Sequence, residues 1–436
     1  MKDEIERLRD LFVTTWEAAD RDAAPDGPEH GRDAQARNEA ELSAFVDVLE
    51  HESRDLRRRA AAGAGAGRAE GERRVCSAFT RFAANALGWE RRHLDGPMAA
   101  PFREALRAFP VRARRFDASL TSADIYQAAR NALTLHCLQG LLGAPVEHTP
   151  ALLAYSLLYP YTDNLLDDPR AGTASKLAFG RRLGERLRGG RVAPAGAREA
   201  RIFALVGLIE RQYPRARFPR VFDSLLAIHH AQVRSLALMS GRSLGARTLI
   251  EVAVEKGGTS VLADGYLVSG ELTPQQAECI FGLGVFLQLR DDLEDVQDDA
   301  AAGVATVFSA ADGGRLDEPT ARALAIGRAV LGRLACFDSP QAVPIREIMA
   351  RSLPLTICDA AASYPARYSR GYLAALERQS PFRFGRLAAE RRRLSRARGS
   401  LTGLLERWLD ESAPPAAGGD ERAGHPGWEV LLQSQS

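Results

Sequence analysis

The chain has 436 residues, 45% of them hydrophobic, which is enough for one large core or two ordinary ones. Its 58 basic and 56 acidic residues nearly cancel, so no overall charge favours binding to nucleic acid or to a membrane surface. Five widely separated cysteines without a CxxC pair argue against a disulfide framework and against a zinc site, and they favour a cytoplasmic location.

The first 73 residues are predicted to form an N-terminal extension. They begin with MKDEIERLRDLF, which is charged and lacks the apolar core of a signal peptide, and no apolar run in the chain reaches the roughly 18 residues that span a bilayer. Residues 20–40 and 59–72 are rich in alanine, glycine and charge, so we expect flexible linkers around one short helix at 40–50. The same composition predicts a flexible tail at 411–436.

Residues 74–410 have the apolar spacing of a helical protein. Large apolar side chains recur every three or four positions, and strand-like alternation is nearly absent. Thr149-Pro150 and Thr273-Pro274 are typical helix starts. We therefore predict an all-α fold, with a single large bundle of about ten helices as the main domain. The candidate helices are 122–142, 150–168, 199–212, 219–239, 246–269, 273–298, 319–335, 341–362 and 383–409.

One acidic segment, YPYTDNLLDDPR at 159–170, ends the second of these helices. Asp163 and Asp167 are one helical turn apart, Asp168 is adjacent, and Pro169 ends the helix. The preceding sequence ALLAYSLLYPY is apolar and aromatic. The carboxylates are therefore expected at the end of a helix that is otherwise buried.

A second acidic segment, QLRDDLEDVQDD at 288–299, has six carboxylates and one basic residue, Arg290. Asp291, Asp295 and Asp299 follow at single-turn intervals, so their like charges repel along one helix face. A solvated acidic face is the ordinary explanation of such a segment. The apolar flanks, the regular spacing and the occurrence of two such segments instead favour shared Mg²⁺ or Mn²⁺ ions, because hard cations take carboxylate and phosphate oxygens as ligands.

FGLGVFLQLRDDLED, residues 281–295, resembles the second aspartate-rich motif of the trans-isoprenyl diphosphate synthases. In that motif Phe-Gln-x-x-Asp-Asp-x-x-Asp follows an apolar helix. Four residues of this chain match it position for position, and a leucine, Leu287, replaces the phenylalanine. The four are Gln288, Asp291, Asp292 and Asp295.

Lys256, 35 positions before Asp291, resembles the diphosphate-binding lysine of the same family. The family has Lys-Thr together, whereas here Gly257 and Gly258 separate Lys256 from Thr259. The resemblance covers residues of about 150–300, and the second acidic segment is its specific part.

The first acidic segment departs from the chain-elongating members. They carry Asp-Asp-x-x-Asp followed by Arg-Arg, whereas this chain has Asp163-Asn164-x-x-Asp167-Asp168 and only Arg170. A single aspartate at the start is more similar to class I terpene cyclases and to the squalene/phytoene synthase branch. The chain thus resembles the class I isoprenoid synthase superfamily more closely than any one of its branches.

The resemblance implies that 74–410 is an isoprenoid synthase-like catalytic domain with a central apolar cavity. It implies metal binding, with Mg²⁺ the first choice, by Asp163, Asp167, Asp168, Asp291, Asp292 and Asp295, of which Asp163, Asp167, Asp291 and Asp295 would be catalytic. The residues expected to bind the diphosphate are Lys256, Arg170 and Arg367. Those expected to line the substrate pocket are Tyr155, Tyr159, Gln232 and Gln288.

The function implied is a Mg²⁺-dependent class I terpene synthase, which ionises an allylic prenyl diphosphate and rearranges or cyclises the carbocation. The alternatives are a chain-elongating trans-prenyl diphosphate synthase and a noncatalytic acidic helical bundle. The expected partner is the prenyl diphosphate substrate, with no nucleic acid, no transmembrane segment and a homodimer as a possible assembly.

Overall fold

The computed structural model describes residues 1–21, 27–61, 68–94, 99–166, 172–239 and 244–395. Their regular secondary structure is helical and includes no β-strand, which confirms the predicted all-α class. The helices in chain order are α1 Lys2–Ala18, α2 Arg32–Ala61, α3 Arg68–Ala86, α4 Arg91–Leu94, α5 Ala99–Phe116, α6 Ser122–Leu141, α7 Pro150–Leu166, α8 Thr173–Leu187, α9 Ala197–Gln212, α10 Pro219–Ser235, α11 Ala246–Ser269, α12 Pro274–Glu294, α13 Val296–Ala302, α14 Asp317–Arg333, α15 Ala342–Ala361, α16 Arg370–Gln379 and α17 at 384–395.

The predicted helices from residue 122 onward agree with the structure to within a few residues. The helix starts are explained by capping: the Thr273 hydroxyl accepts a hydrogen bond from the Gln276 backbone N–H at 3.2 Å, and Thr149 does the same for Leu152. The helix predicted at 273–298 is divided at Asp295 into α12 and α13. Residues 396–409 of the last predicted helix lie outside the described residues.

The N-terminal segments contain more helix than predicted. Helix α2 is 30 residues long, and α3 begins at Arg68, so residues 32–40 and 68–72 are helical where the composition predicted linkers. Alanine and arginine favour helix on their own, without the apolar periodicity used to find helices. The boundary predicted at residue 73 falls inside α3. Residues 22–26 and 62–67 and the predicted tail at 411–436 lie outside the described residues.

Five helices form a closed ring at the centre of the bundle. Helix α6 packs on α7, α11 and α15, while α12 completes the ring by packing on α11 and α15. Helix α1 packs on α11, α12 and α14 and belongs to the main hydrophobic core. Its Phe12 ring lies 5.9 Å from the Phe281 ring and directly over Gly282. The acidic segment therefore lies at the end of a helix that is packed on several sides.

A smaller hydrophobic core lies between α2 and α3. It contains Leu42, Val46, Phe82, Ala86 and Phe382. Ion pairs join the last described residues of the chain, 383–395, to α2. Arg393 contacts Glu50 at 2.9 Å, and Arg383 contacts buried Glu39. Helices α2 and α3 and the C-terminal helix α17 therefore form one layer against the bundle.

In the part of the chain that the structure describes, each helix is too short or too polar to cross a lipid bilayer.

Candidate functional site

The backbones of α11 and α12 are in direct contact at a pair of glycines. A Cβ atom added to Gly257 would lie 2.5 Å from the Gly284 carbonyl oxygen, and one added to Gly284 would lie 2.2 Å from the Gly257 carbonyl oxygen. A Cβ atom added to Gly258 would likewise lie 2.3 Å from the nearest atom of the Phe281 ring. The two glycines that separate Lys256 from Thr259 thus serve helix packing, and they bring the α11 backbone against the start of the acidic segment.

Lys256 is close to the second acidic segment. Burial raises the pKa of Asp292 to about 7, although the hydrogen bond from Gln288 and the charge of Lys256 lower it. Burial, followed by the charge of Asp295, raises the pKa of Asp299 to about 6, although the charge of Lys256 lowers it. The ion pairs found among the described residues do not include Lys256. Lys256 therefore acts on these carboxylates through its charge.

The outer carboxylates of the segment repel one another, as the spacing predicts. Burial, followed by the charges of Asp291 and Glu294, raises the pKa of Asp295, and Arg130 lowers it. Arg130 extends from α6 and places its Nη2 atom 3.1 Å from Asp291 Oδ1. We did not predict a role for Arg130, because 161 positions separate it from Asp291 and arginine is common throughout the chain.

Two neighbours hold the segment in place. The Gln288 side-chain amide donates to Asp292 Oδ1 at 2.7 Å, one turn along the same helix. The Tyr364 hydroxyl donates to the Glu294 carbonyl, and the charges of Asp298 and Asp295 add to burial in raising the pKa of Tyr364. The segment that precedes α16 therefore covers the end of α12.

Arg367 lies in the same segment, three residues after Tyr364. Its Nε donates to the Gly314 carbonyl at 2.7 Å, and the hydrogen bonds described for it do not reach the acidic segment. Its role in diphosphate binding remains a prediction.

Most of the first acidic segment lies outside the description. Asp167, Asp168 and Arg170 fall in residues 167–171, which the structure does not describe, and the side chains of Tyr159 and Asp163 are likewise outside it. Helix α7 itself packs against α6 and α11. That the two acidic segments face each other remains a prediction.

Tyr155 and Gln232, both predicted to line the substrate pocket, line one small cavity of about 40 Å³. The Tyr155 hydroxyl donates to the Ser260 carbonyl at 3.2 Å, which ties α7 to α11. His229 borders the same cavity, and burial lowers its pKa to about 4, so its imidazole is neutral at pH 7. The cavity combines an apolar wall with neutral polar groups.

A second cluster, Glu90, His93 and Glu347, has the spacing of a metal site. His93 Nδ1 accepts the Glu90 backbone N–H at 2.8 Å, so Nε2 carries the proton and donates to Glu347 at 2.6 Å. Arg92 and Arg351 also contact these carboxylates. The positive partners already present explain the cluster without a metal ion.

One buried carboxyl group lies between α6 and α11. Asp264 has no exposed surface, one of its oxygens accepts from Asn131 at 3.3 Å, and the other is without a partner. Burial raises its pKa well above the usual range of an aspartate. Burial therefore favours the protonated form of this carboxyl group in the folded protein.

This raised pKa predicts a pH-dependent stability. The unfolded chain loses the Asp264 proton near pH 4 and the folded chain only at a higher pH, so the contribution of Asp264 to stability is lost as the pH rises from 4. Asp264→Asn keeps the size and the bond to Asn131 and cannot ionise. We expect its free energy of unfolding, measured in urea, to exceed that of the parent by a margin that grows from pH 4 to pH 8. A margin that stays constant over this range would contradict the assignment.

Comparison with known proteins adds little to these observations. No family model matches the chain, and no curated protein matches it. Among solved structures it is similar to a "putative farnesyl-diphosphate synthase" from Marinomonas sp. MED121, with 14% sequence identity and a TM-score of 0.37. The match covers 58% of this chain and 94% of that one. At this level it assigns neither a family nor an activity.

Proposed function

We propose that the chain is a Mg²⁺-dependent enzyme of the class I isoprenoid synthase type, which ionises an allylic prenyl diphosphate. The observation that carries the proposal is the close contact of Gly257 with Gly284 and Gln288, which brings the adjacent Lys256 near the acidic segment, where its charge lowers the pKa of Asp292 and of Asp299. A cluster that only bound cations would be weakened by a facing ammonium group. A cluster that binds cations together with a diphosphate is strengthened by one.

The donor atoms of the second acidic segment fit Mg²⁺. Asp291, Asp295 and Asp299 offer only carboxylate oxygens, at intervals of one turn, without thiol or imidazole ligands among them. Mg²⁺, when bound, would neutralise negative charge on the departing diphosphate. Burial raises the pKa of Asp295 and of Asp299, and the neighbouring carboxylates raise both further; a bound cation would relieve this repulsion between carboxylates.

The residues around the acidic segment have separate tasks in this proposal. Lys256 and Arg130 would contact the diphosphate oxygens as negative charge develops on them, which stabilises the transition state for C–O cleavage. Gln288 orients Asp292 by its 2.7 Å hydrogen bond. Tyr155 and the apolar face of α7 would keep water from the carbocation, and an aromatic face near a cation contributes roughly 0.5–2 kcal/mol.

Within this class we favour cyclisation or rearrangement of one prenyl chain over elongation. The first acidic segment is followed by a single arginine, Arg170, where elongating enzymes carry a pair. The chain thus has fewer fixed charges to hold a second diphosphate substrate beside the one that ionises. We further propose that the N-terminal extension ends at residue 73 and that the protein forms a homodimer.

The test is product analysis with purified protein, Mg²⁺ and dimethylallyl, geranyl, farnesyl and geranylgeranyl diphosphates, each with and without isopentenyl diphosphate. We expect a terpene hydrocarbon or alcohol from one of the allylic substrates alone, and no product in EDTA. A longer prenyl diphosphate that forms only with isopentenyl diphosphate would replace cyclisation by elongation. Release of diphosphate from none of the substrates, with the fold intact by circular dichroism, would overturn the proposal.

A further inference from the structure

Two cysteines are in contact where α12 packs against the end of α14. Cys279 is buried in α12, and Cys336 is half-buried in the single helical turn Leu334–Cys336 that follows α14. The Cys279 thiol donates a hydrogen bond to the Cys336 sulfur, and its own sulfur lies 3.9 Å from the Val330 carbonyl oxygen of α14. The fold thus pairs two thiols that are far apart in the sequence.

The contact is fixed by hydrogen bonds on both sides. Arg333 Nε of α14 donates to Glu278 Oε1 at 2.7 Å, directly beside the first cysteine in the chain. Arg346 Nη1 of α15 donates to the carbonyl of buried Phe337 at 2.9 Å, directly beside the second cysteine. The two sulfur atoms are therefore held together by their neighbours as well as by their own hydrogen bond.

The two thiols differ in chemical character. The hydrogen bond with Cys336, followed by burial, raises the pKa of the Cys279 thiol. The same hydrogen bond lowers the pKa of Cys336 against the effect of burial, and the charge of Arg346 lowers it further, while Asp338 acts in the opposite direction. Because a thiolate is the reactive form of cysteine, the more exposed Cys336 is the nucleophile of the pair, and Cys279 keeps its proton.

Two of the other cysteines have the opposite properties. Burial raises the pKa of Cys137 to about 11 and that of Cys358 to about 12, so both thiols stay protonated at neutral pH. Cys76 is half-buried in α3, in the layer outside the bundle. It serves below as the reference for unselective oxidation.

We propose that Cys336 is a site of reversible oxidation by hydroperoxides and that Cys279 then forms a disulfide with it. In the first step the Cys336 thiolate attacks one peroxide oxygen, an S–O bond forms, the O–O bond breaks, and the departing oxygen takes up a proton. In the second step the Cys279 sulfur attacks the Cys336 sulfur, an S–S bond forms, and the S–O bond breaks, with the Cys279 proton leaving in the water released. The two thiols lose two electrons, and the peroxide gains them.

The disulfide would connect the ends of a chain segment that contains α13 and the acidic segment at 288–299. Such a cross-link restricts the unfolded chain, so the oxidised protein should unfold at a higher urea concentration than the reduced one. A dithiol reductant would restore both thiols by thiol–disulfide exchange. The proposal stands independently of the catalytic function.

The experiment treats the reduced full-length protein with a limiting amount of hydrogen peroxide, blocks free thiols with N-ethylmaleimide and maps the peptides by mass spectrometry. We expect the Cys279–Cys336 disulfide to form at least about tenfold faster than Cys76 is oxidised, and dithiothreitol to remove it. In concentrated urea this preference should disappear, because the fold creates it. Oxidation of Cys336 no faster than that of Cys76, or a disulfide from Cys336 to another cysteine, would overturn the proposal.

Three variants separate the roles of the two thiols. Cys279→Ser keeps a hydroxyl that can donate to Cys336, so Cys336 should still react but stop at the sulfenic acid, which dimedone traps. Cys336→Ser changes only a half-buried side chain, which keeps the test valid if Cys279→Ser does not fold, and it should leave Cys279 unmodified. Cys76→Ser should form the disulfide as the parent does. Oxidation of Cys279 at the parental rate in Cys336→Ser, or absence of the dimedone adduct in folded Cys279→Ser, would contradict the assignment of Cys336 as the reactive thiol.

Discussion

Asp291→Asn is expected to lower turnover of the allylic substrate by at least about a hundredfold, because removing one stabilising charge from a transition state typically costs a few kcal/mol. The fold should persist. The pair that Asp291 forms with Arg130 is partly exposed on both sides, and such pairs contribute about 0–1 kcal/mol. Relief of repulsion from Asp295 acts in the opposite direction, so the midpoint of urea unfolding should hardly move.

The matched control for this prediction is Asp298→Asn. It removes the same charge from the same segment, but Asp298 is exposed on α13 and outside the Asp291–Asp295–Asp299 face. Turnover by this control should fall only a few fold. Equal losses in the two variants would mean that overall charge, and not ligation by Asp291, supports the activity.

Gly257→Ala is expected to destabilise the protein by about 1–3 kcal/mol, the usual cost of forcing extra volume into a packed contact. The new methyl group would meet the Gly284 carbonyl oxygen and the Gln288 Cβ, each at 2.5 Å. A backbone atom cannot rotate away, so α11 and α12 must separate. Since Lys256 and Gln288 lie at this contact, activity should fall together with the free energy of unfolding in urea.

Gly207→Ala provides the comparison. Gly207 is also inside a helix, but a Cβ there would meet its nearest atom at an ordinary 3.7 Å. Alanine is a better helix former, so this change should stabilise the protein by roughly 0.5–1 kcal/mol. If Gly257→Ala were as stable as Gly207→Ala, the backbones of α11 and α12 would not be in direct contact at Gly257.

The sequence predicted the fold class because apolar periodicity and caps are local signals. Thr273-Pro274 marks the start of α12, and the structure begins the helix there. Helices α3 and α8 were not predicted, although Phe179, Leu183 and Leu187 of α8 recur at one-turn intervals, because the arginines and glycines around them obscure the pattern. The division at Asp295 was missed as well, since a change of backbone angles at one residue leaves no trace in composition.

Prediction of the site was limited by distance along the chain. Asp291, Asp292 and Asp295 could be chosen from their spacing, and Lys256 from the family resemblance of its place before them. Arg130 could not, because its side chain approaches Asp291 only after α6 has packed into the ring. Tyr364 was missed for the same reason. Asp264 gave no signal, because a lone aspartate in a helix is usually exposed.

The packing of α1 has a consequence for synthesis of the chain. Phe12 and Phe281 are 269 positions apart, so the apolar face of α1 leaves the ribosome long before the surface on α12 that covers it. At roughly 5–20 residues per second, that face remains uncovered for about 13–54 s. Over this interval α1 is a target for chaperones and for association between nascent chains. Fast translation, or co-expression with a chaperone that shields short apolar helices, should therefore raise the yield of soluble protein without changing the stability of the finished fold.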